Sequence, residues 1–257
     1  MNRINGVFSK GKAFIPFVTA GDPSIEVTEK LIYSMAESGA DLIEIGVPFS
    51  DPVAEGPVIQ AADKRALDAG VTVDDIFSMM RRVRSNCCVP TALMTYVNPI
   101  FTYGTERFMR YCNEVGIDAV IVPDIPFEEK DELEPCCTKY DIAMISMIAP
   151  TSGDRIRMIA AEAQGFVYCV SSLGVTGMRD TINSGVNEMV RAIKEVKDIP
   201  CAIGFGISTP EQAAGLAAFA DGVIVGSAVV EIVNQYGFDC IPFVADYVRK
   251  MKDAIAV

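Results

Sequence analysis

The sequence predicts an α/β fold, a single (β/α)8 TIM barrel, from three observations. Half of the 257 residues are apolar, which suits one large core. Short apolar runs alternate with amphipathic stretches along the chain, the pattern of parallel strands joined by helical crossovers. The apolar runs number eight, as this barrel requires. We therefore expect residues 1–257 to form one barrel domain.

The predicted strands are continuous in apolar residues, which is typical of strands buried on both faces. They are Phe14–Thr19, Leu42–Ile45, Thr91–Thr95, Ala119–Val122, Ile142–Met147, Phe166–Val170, Cys201–Ile203 and Val223–Val225. Amphipathic periodicity predicts helices between them. Examples are Ile25–Ser38, Val73–Val83, Thr105–Val115, Ile156–Glu162, Val186–Val196 and Pro210–Ala218. A short N-terminal helix within residues 2–9 is expected to close the bottom of the barrel.

The spacing between strands indicates where function was added to the barrel. Strand starts are mostly about 22 to 28 residues apart, but about 49 after strand two and about 35 after strand six. Extended loops are therefore expected after these two strands. In this fold the C-terminal ends of the strands and the loops that leave them carry the working residues.

Composition excludes several classes of function. The net charge of −12 argues against a surface for nucleic acid or an anionic membrane. No histidine is present and the cysteines form no C-x-x-C motif, so we expect no metal site and no histidine-based triad. The cysteine pattern indicates reduced thiols, and the chain is expected to be cytoplasmic.

Two carboxylates are the leading candidates for catalysis. Glu44 lies inside an apolar strand, where a charge is costly unless it has a partner or a function. Glu55 lies on the loop that follows, and Tyr168 near the end of strand six is a possible helper. The Asp side chains at positions 22, 51 and 124 also fall on the active face, where each could simply cap a turn or a helix.

The last two strands predict a phosphate site. Gly204–Ser208 leaves strand seven, and Gly226–Ala228 leaves strand eight into a short predicted helix, Val229–Val233. Backbone N–H groups at a helix N-terminus bind phosphate, and this fold often places a phosphate there. Glycine-rich turns are common, so the prediction depends on the two occurring together. Ser171–Gly177, after strand six, is interpreted as a mobile lid.

Elimination narrows the type of reaction. A Schiff-base aldolase needs a lysine at a strand end, but no lysine lies in the eight apolar runs. A dinucleotide-binding fold needs G-x-G-x-x-G after strand one, and Gly21-Asp-Pro does not match it. Acid–base chemistry by carboxylates remains.

Eight segments, spread nearly from end to end of the chain, carry a family resemblance. They are Pro16–Pro23, Glu44–Pro52, Gly56–Gln60, Met94–Ile100, Val122–Pro126, Gly174–Gly177, Gly204–Ser208 and Val225–Ala228. In these segments the chain resembles the tryptophan synthase alpha subunit family. The resemblance implies retro-aldol cleavage of indole-3-glycerol phosphate to indole and glyceraldehyde 3-phosphate, with no cofactor in this chain. It also implies that indole passes to a PLP-dependent beta subunit in an alpha2beta2 complex. The partner would bind near Pro52-Val53 and Asn98–Ile100.

The resemblance also implies roles for individual residues. Glu44 matches the general acid/base, Glu55 the carboxylate that accepts the ring N–H, and Tyr168 a tyrosine near the reacting centre. Thr176 matches a lid residue that closes onto loop two. The positions that match phosphate-binding residues are Gly177, Gly206, Gly226 and Ser227. Those that match the indole pocket are Phe17, Met94, Ile121 and Phe205.

One departure from the family pattern bears on activity, because the family has Asp where this chain has Glu55. The additional methylene displaces the carboxylate by more than the roughly 0.5 Å that catalytic geometry tolerates, unless the loop adjusts. Two alternatives to the lyase therefore stay open. One is a weakened chain that mainly activates a beta subunit, and the other is a different phosphate-binding barrel isomerase or synthase.

Overall fold

The computed structural model describes residues 2–171, 179–204 and 206–256. In this part of the chain the strands are β1 (Ala13–Thr19), β2 (Ile43–Gly46), β3 (Thr91–Met94), β4 (Ala119–Ile121), β5 (Ala143–Met144), β6 (Ser146–Ile148), β7 (Val167–Val170), β8 (Cys201–Gly204) and β9 (Gly222–Val225). Their hydrogen-bonded order is β5-β4-β3-β2-β1-β9-β8-β7-β6, and every pairing is parallel. The arrangement is a nearly closed barrel, so the predicted fold class is confirmed.

The fifth predicted strand differs in detail from the prediction, because it is divided at Ile145 into β5 and β6. The first piece pairs with β4 and the second with β7. The two ends of the hydrogen-bonded sheet are thus one continuous segment of chain. A bend at this point lets eight predicted strands appear as nine pieces in the described residues.

The helices of the described residues cover the outside of the barrel. They are α1 (Ile25–Glu37), α2 (Pro57–Asp68), α3 (Val73–Asn86), α4 (Val97–Tyr103), α5 (Thr105–Val115), α6 (Glu134–Lys139), α7 (Arg155–Glu162), α8 (Arg179–Val196), α9 (Pro210–Ala217), α10 (Ser227–Tyr236) and α11 (Ile241–Ile255). The long connection after β2 contains α2, so its additional length is partly helical. The connection after β7 begins at Ser171 and continues outside the described residues.

Local sequence explains where several helices begin. The Ser24 hydroxyl accepts the Val27 N–H at 3.3 Å and caps α1. Thr72 and Asp75 form a capping box at the start of α3, and Thr209 with Gln212 does the same for α9. These caps satisfy N–H groups that the first turn of a helix leaves free.

The N-terminal segment closes the bottom of the barrel, as expected, but its helix is only a 3₁₀ turn at Ile4–Gly6. Arg3 donates from its side chain to Asp118 Oδ1 at 2.7 Å, which ties the segment to the start of β4. The Phe8 ring packs on Phe166 with centroids 5.5 Å apart. No helix in the described residues has the length and apolar character needed to cross a membrane.

Candidate active site

A cavity of about 660 Å³ opens at the C-terminal ends of the strands. Eight of the residues singled out from the sequence line it: Phe17, Glu44, Glu55, Met94, Tyr168, Gly206, Gly226 and Ser227. Other lining residues come from the start of α2, from the turn after β8 and from β9 and the start of α10. The fold therefore brings the predicted carboxylates and the predicted phosphate site into one cavity.

Glu44 is the most deeply buried carboxylate of the cavity. It lies in β2 between Phe17 of β1 and Ala92 of β3, and its side chain points into the barrel because its neighbours Ile43 and Ile45 pack outward. Only 1 % of the residue is exposed, and within the described residues neither carboxylate oxygen has a hydrogen-bond partner. Burial, with a smaller contribution from the charge of Glu55, raises the pKa of Glu44 to about 8.

Glu55 is half-buried at the end of the loop that follows β2. Burial raises its pKa to about 7. Its backbone carbonyl accepts a hydrogen bond from Gln60 Nε2 at 2.8 Å, and the preceding Ala54 N–H donates to the Tyr96 hydroxyl at 2.9 Å. The Tyr96 ring stacks on Phe49 with centroids 5.2 Å apart. Both ends of this loop are thus held.

Tyr168 projects into the barrel from β7 and is 5 % exposed. Burial raises the pKa of Tyr168 well above its usual range, and the charges of Glu44 and Glu55 act in the same direction. Gly204 on the neighbouring strand makes room for the ring, since a Cβ atom there would lie 2.5 Å from the hydroxyl oxygen. The hydroxyl is therefore neutral at physiological pH and is able to donate a hydrogen bond.

The opposite end of the cavity has the features of an anion site. Gly226 precedes α10, whose first turn receives no side-chain cap, and Ser227 and Ala228 line the cavity there. Gly206 has a φ of +71° and turns the chain after β8 toward the same point. The helix therefore presents free backbone N–H groups and the positive end of its dipole to a ligand.

The remaining predicted residues divide into two groups. Ile121 does not line the cavity, because it is fully buried among the inward-facing side chains of the barrel. Thr176, Gly177 and Phe205 lie outside the described residues.

Comparisons with known proteins identify the family of the chain. The family model described as tryptophan synthase alpha chain matches residues 7–255. The chain belongs to the tryptophan synthase alpha chain family. The tryptophan synthase alpha chain of Geobacter sulfurreducens is 47% identical over 262 residues, which cover 99% of both chains. That of Lacticaseibacillus casei is 47% identical over 235 residues, which cover 91% of this chain and 88% of the relative.

Solved structures of the family have the same fold. The tryptophan synthase alpha subunit of Legionella pneumophila has a TM-score of 0.90 and 37% identity, with 99% of this chain and 98% of that chain covered. Ligand-free tryptophan synthase from M. tuberculosis has a TM-score of 0.89 and 30% identity, with both chains fully covered. The family resemblance seen in the sequence is confirmed. Membership supports the lyase interpretation and not the activator or the other barrel enzymes.

The three aspartates predicted on the active face do not line the cavity, and each has a hydrogen-bond partner elsewhere. Asp22 accepts two hydrogen bonds from Arg65, and Asp124 Oδ1 accepts the Val97 N–H at 3.0 Å at the start of α4. Asp51 is exposed and accepts from the Ser50 hydroxyl at 2.5 Å. Capping is thus confirmed as the role of Asp124.

The sequence analysis did not predict that the first turn of α2 lines the cavity. Gly56, Pro57 and Ile59 line the cavity beside Glu55. A proline at the first helical position after a glycine is a signal of a helix start, and it would have indicated this turn. Ile207 and Ser208, from the predicted Gly204–Ser208 segment, also line the cavity, as does Ile224 of β9, whose aliphatic character carried no chemical signal.

Proposed function

We propose that the chain performs the lyase step of tryptophan synthase with Glu44, Glu55 and Tyr168 as its catalytic residues. The reaction cleaves indole-3-glycerol phosphate to indole and glyceraldehyde 3-phosphate. The observation that carries the assignment of roles is the buried, unpartnered Glu44 carboxyl in one cavity with a second carboxylate and a helix N-terminus. A titratable group that is buried in a cavity without a partner is typical of a functional site, because its burial costs stability.

Glu44 acts as both acid and base in the proposed mechanism. Because its pKa is raised to about 8, the carboxyl is mostly protonated at neutral pH and starts as the acid. It gives its proton to C3 of the indole ring and then takes the proton of the side-chain hydroxyl. The hydroxyl oxygen becomes the aldehyde oxygen, and the electron pair of the broken carbon–carbon bond returns to the ring. Glu44 ends the reaction protonated, as it began.

Glu55 stabilises the positive charge that protonation of C3 places on the ring nitrogen. Its carboxylate lies in the same cavity and accepts the ring N–H when ionised, which its pKa of about 7 permits at and above neutral pH. The neutral Tyr168 hydroxyl is a hydrogen-bond donor for the reacting side chain. The charge of Glu55 adds to the effect of burial in raising the pKa of Glu44.

The rest of the cavity holds the two ends of the substrate. Gly206, Gly226 and Ser227 bind the phosphate through backbone N–H groups at the start of α10, while Phe17 and Met94 provide apolar walls for indole. Gly177 and Phe205 keep, on the resemblance, their expected phosphate and indole roles, whereas Ile121 supports the indole pocket only from behind its lining. Thr176 keeps its expected role in closing the site.

The partner and the setting of the reaction follow from the family. Membership of this family implies a beta-subunit partner. We assign an alpha2beta2 complex, in which PLP belongs to the beta subunit and this chain uses no cofactor. Residues 1–257 act as one barrel domain, and the reaction takes place in the cytoplasm. In the proposed mechanism Glu44 carries out both proton transfers that cleavage needs.

Indole release from indole-3-glycerol phosphate tests the proposal. The purified chain is assayed alone and with a beta subunit, beside Glu44→Gln, which keeps the shape of the side chain and removes the titrating group. The matched control is Glu195→Gln, an exposed carboxylate paired with Arg157 on the surface. We expect release that rises with the partner, falls at least about a hundredfold in Glu44→Gln and is unchanged in the control. Equal release by Glu44→Gln would refute the role of Glu44.

A further inference from the structure

An ion pair between the partly exposed Arg65 and the buried Asp22 joins helix α2 to the loop that follows β1. Asp22 is 3 % exposed and accepts two hydrogen bonds from Arg65, from Nε at 2.8 Å and from Nη2 at 2.7 Å. The pairing is bidentate, which fixes the direction of approach as well as the distance. The residues are 43 positions apart in sequence, so the contact sets how α2 lies on the barrel.

The loop on the Asp22 side is a fixed platform. The Gly21 N–H donates to Thr28 Oγ1 of α1 at 3.0 Å, and the Asp22 N–H donates to the Thr19 carbonyl at 3.3 Å. Gly21 has a φ of +86° and lies so close to Val71, just beyond α2, that a Cβ atom would be 2.4 Å from the valine side chain. The loop therefore holds α2 by charge at Arg65 and by packing at Val71.

The other end of α2 leads directly to the catalytic loop. The helix begins at Pro57, two residues after Glu55, and its first turn returns a hydrogen bond from Gln60 to the Glu55 carbonyl. Ile59 of the same turn lines the cavity. A helix is rigid over the distance of about 12 Å from Pro57 to Arg65, so the position of Arg65 is transmitted to Glu55.

Stability alone is a poor explanation for this pair. Taking the Asp22 carboxylate out of water is costly, and an ion pair whose guanidinium side chain is 37% exposed contributes little net stability. What a bidentate pair supplies is a single geometry. The loop that carries Glu55 has no strand of its own, since it runs from Val47 to Gly56 between β2 and α2. A contact between α2 and another loop of the barrel therefore helps to fix the position of this loop.

We propose that Asp22 and Arg65 are positioning residues, which hold α2 so that Glu55 meets the substrate at the correct place. The inference rests on the proposed role of Glu55 in the lyase reaction. Neither residue lines the cavity, so both act through the helix. The phosphate end of the cavity is carried by the turn after β8 and by α10, with Gly226 close to Ile59 in the first turn of α2.

The test compares variants of the pair with a matched ion pair on the same helix. Arg65→Met removes the guanidinium and keeps an apolar stem, and Arg65→Lys keeps one charge without the bidentate geometry. Asp22→Asn with Arg65→Met removes both charges together. The control is Lys64→Met, which removes the exposed pair of Lys64 with Asp68. All are assayed at a temperature at which circular dichroism shows them folded.

A positioning role predicts a split between kinetic constants. We expect Arg65→Met to lower kcat at least about tenfold, because a displacement of about 1 Å costs that much or more. The inhibition constant of inorganic phosphate should change by a smaller factor than kcat, because the proposed phosphate ligands lie on the turn after β8 and at the start of α10 rather than on α2. Arg65→Lys should recover part of the rate, and Lys64→Met should match wild type. An unchanged kcat in folded Arg65→Met, with only a lower Tm, would overturn the proposal.

A second readout does not depend on turnover. The carboxyl of Glu55 is followed by ¹³C NMR and assigned with Glu55→Gln. If the pair holds Glu55 in the cavity, its pKa should fall from about 7 toward 4.5 in Arg65→Met, because the loop gains access to water. An unchanged pKa would reject the positioning role, even if wild type released no indole and the lyase proposal itself failed. The double variant decides in the same way if Arg65→Met does not fold.

Discussion

Glu44 links the chemistry of the site to the stability of the fold. The carboxyl is inside the barrel without a hydrogen-bond partner among the described residues, so its charged form is costly in the folded state and harmless in the unfolded chain. The folded protein consequently binds the proton more tightly than the unfolded chain does. Stability from this group is therefore complete at low pH and is lost as pH rises toward 8.

The first prediction concerns the pH dependence of unfolding. The ordinary pKa of 4.5 and the raised value of about 8 define the window in which ionisation of Glu44 destabilises the fold. Glu44→Gln cannot ionise, so its advantage over wild type should grow between pH 5 and 8, by at most about 1.4 kcal/mol per pH unit. Urea unfolding at pH 5, 6.5 and 8 measures this. The prediction would be contradicted if the free energies of unfolding of wild type and Glu44→Gln changed in parallel with pH. A parallel change is expected for the control variant Glu195→Gln.

The second prediction concerns the length of the second carboxylate. Glu55 stands where the family pattern has Asp. Hydrogen bonds from Gln60 to the Glu55 carbonyl and from the Ala54 N–H to the Tyr96 hydroxyl hold its loop in place. If the loop is only shifted to accommodate the longer side chain, Glu55→Asp should release indole at the wild-type rate or up to about tenfold faster. Single-turnover assays would show this. A collapse of the rate would mean that the loop is built around Glu.

At the residue scale the sequence predicted the polar groups of the site better than the residues that pack around them or hold them in position. Glu44 could be identified because a charge in an apolar strand is conspicuous, and glycines before a helix indicated the phosphate end. Ile121 could not be placed, since an apolar residue near a strand end has the same signal whether it lines a cavity or fills the barrel. The pairing of Asp22 with Arg65 depends on how α2 lies, which no local pattern encodes.

At the scale of elements, the period of the strands and helices was readable, but irregular connections were not. The strands follow from continuous apolar runs, and their predicted bounds differ from the structure by at most one residue when strand five is taken over its two pieces. Both α2 and the division of strand five at Ile145 escaped prediction. The helix is polar over much of its surface, so its periodicity is weak, and the bend in the strand is set by barrel closure.

The third prediction concerns how two strands share space inside the barrel. Gly46 of β2 faces Phe17 of β1, and a Cβ atom at Gly46 would lie 2.5 Å from the ring carbon Cζ. Gly46→Ala should therefore displace the Phe17 ring, lower kcat about tenfold and reduce stability by about 1 to 3 kcal/mol. Steady-state assays and urea unfolding measure both effects. Gly215→Ala inside α9, with nothing within 4 Å of its new Cβ, should leave activity unchanged and raise stability by up to about 1 kcal/mol, the opposite sign.

At the scale of the whole molecule, two exposed apolar side chains stand out on the active face. Val53, on the loop that carries Glu55, is 81% exposed, and Phe101 of α4 is 48% exposed. Both belong to or border the segments expected to contact the beta subunit. Exposed apolar groups at a rim of loops are typical of a binding surface. The net charge of −12 keeps the remaining surface strongly hydrated.

The fourth prediction assigns these side chains to the partner. Burying a valine contributes about 1.5 kcal/mol, so Val53→Ser should weaken binding of the beta subunit about tenfold, and Phe101→Ser by at least as much. Calorimetric titration with the beta subunit measures the affinity. Phe238→Ser is the matched control, because Phe238 is 70% exposed on the turn between α10 and α11, away from both segments. Weakening by the control alone would move the interface to that turn, since the loss of an exposed aromatic side chain affects binding only where the partner covers it.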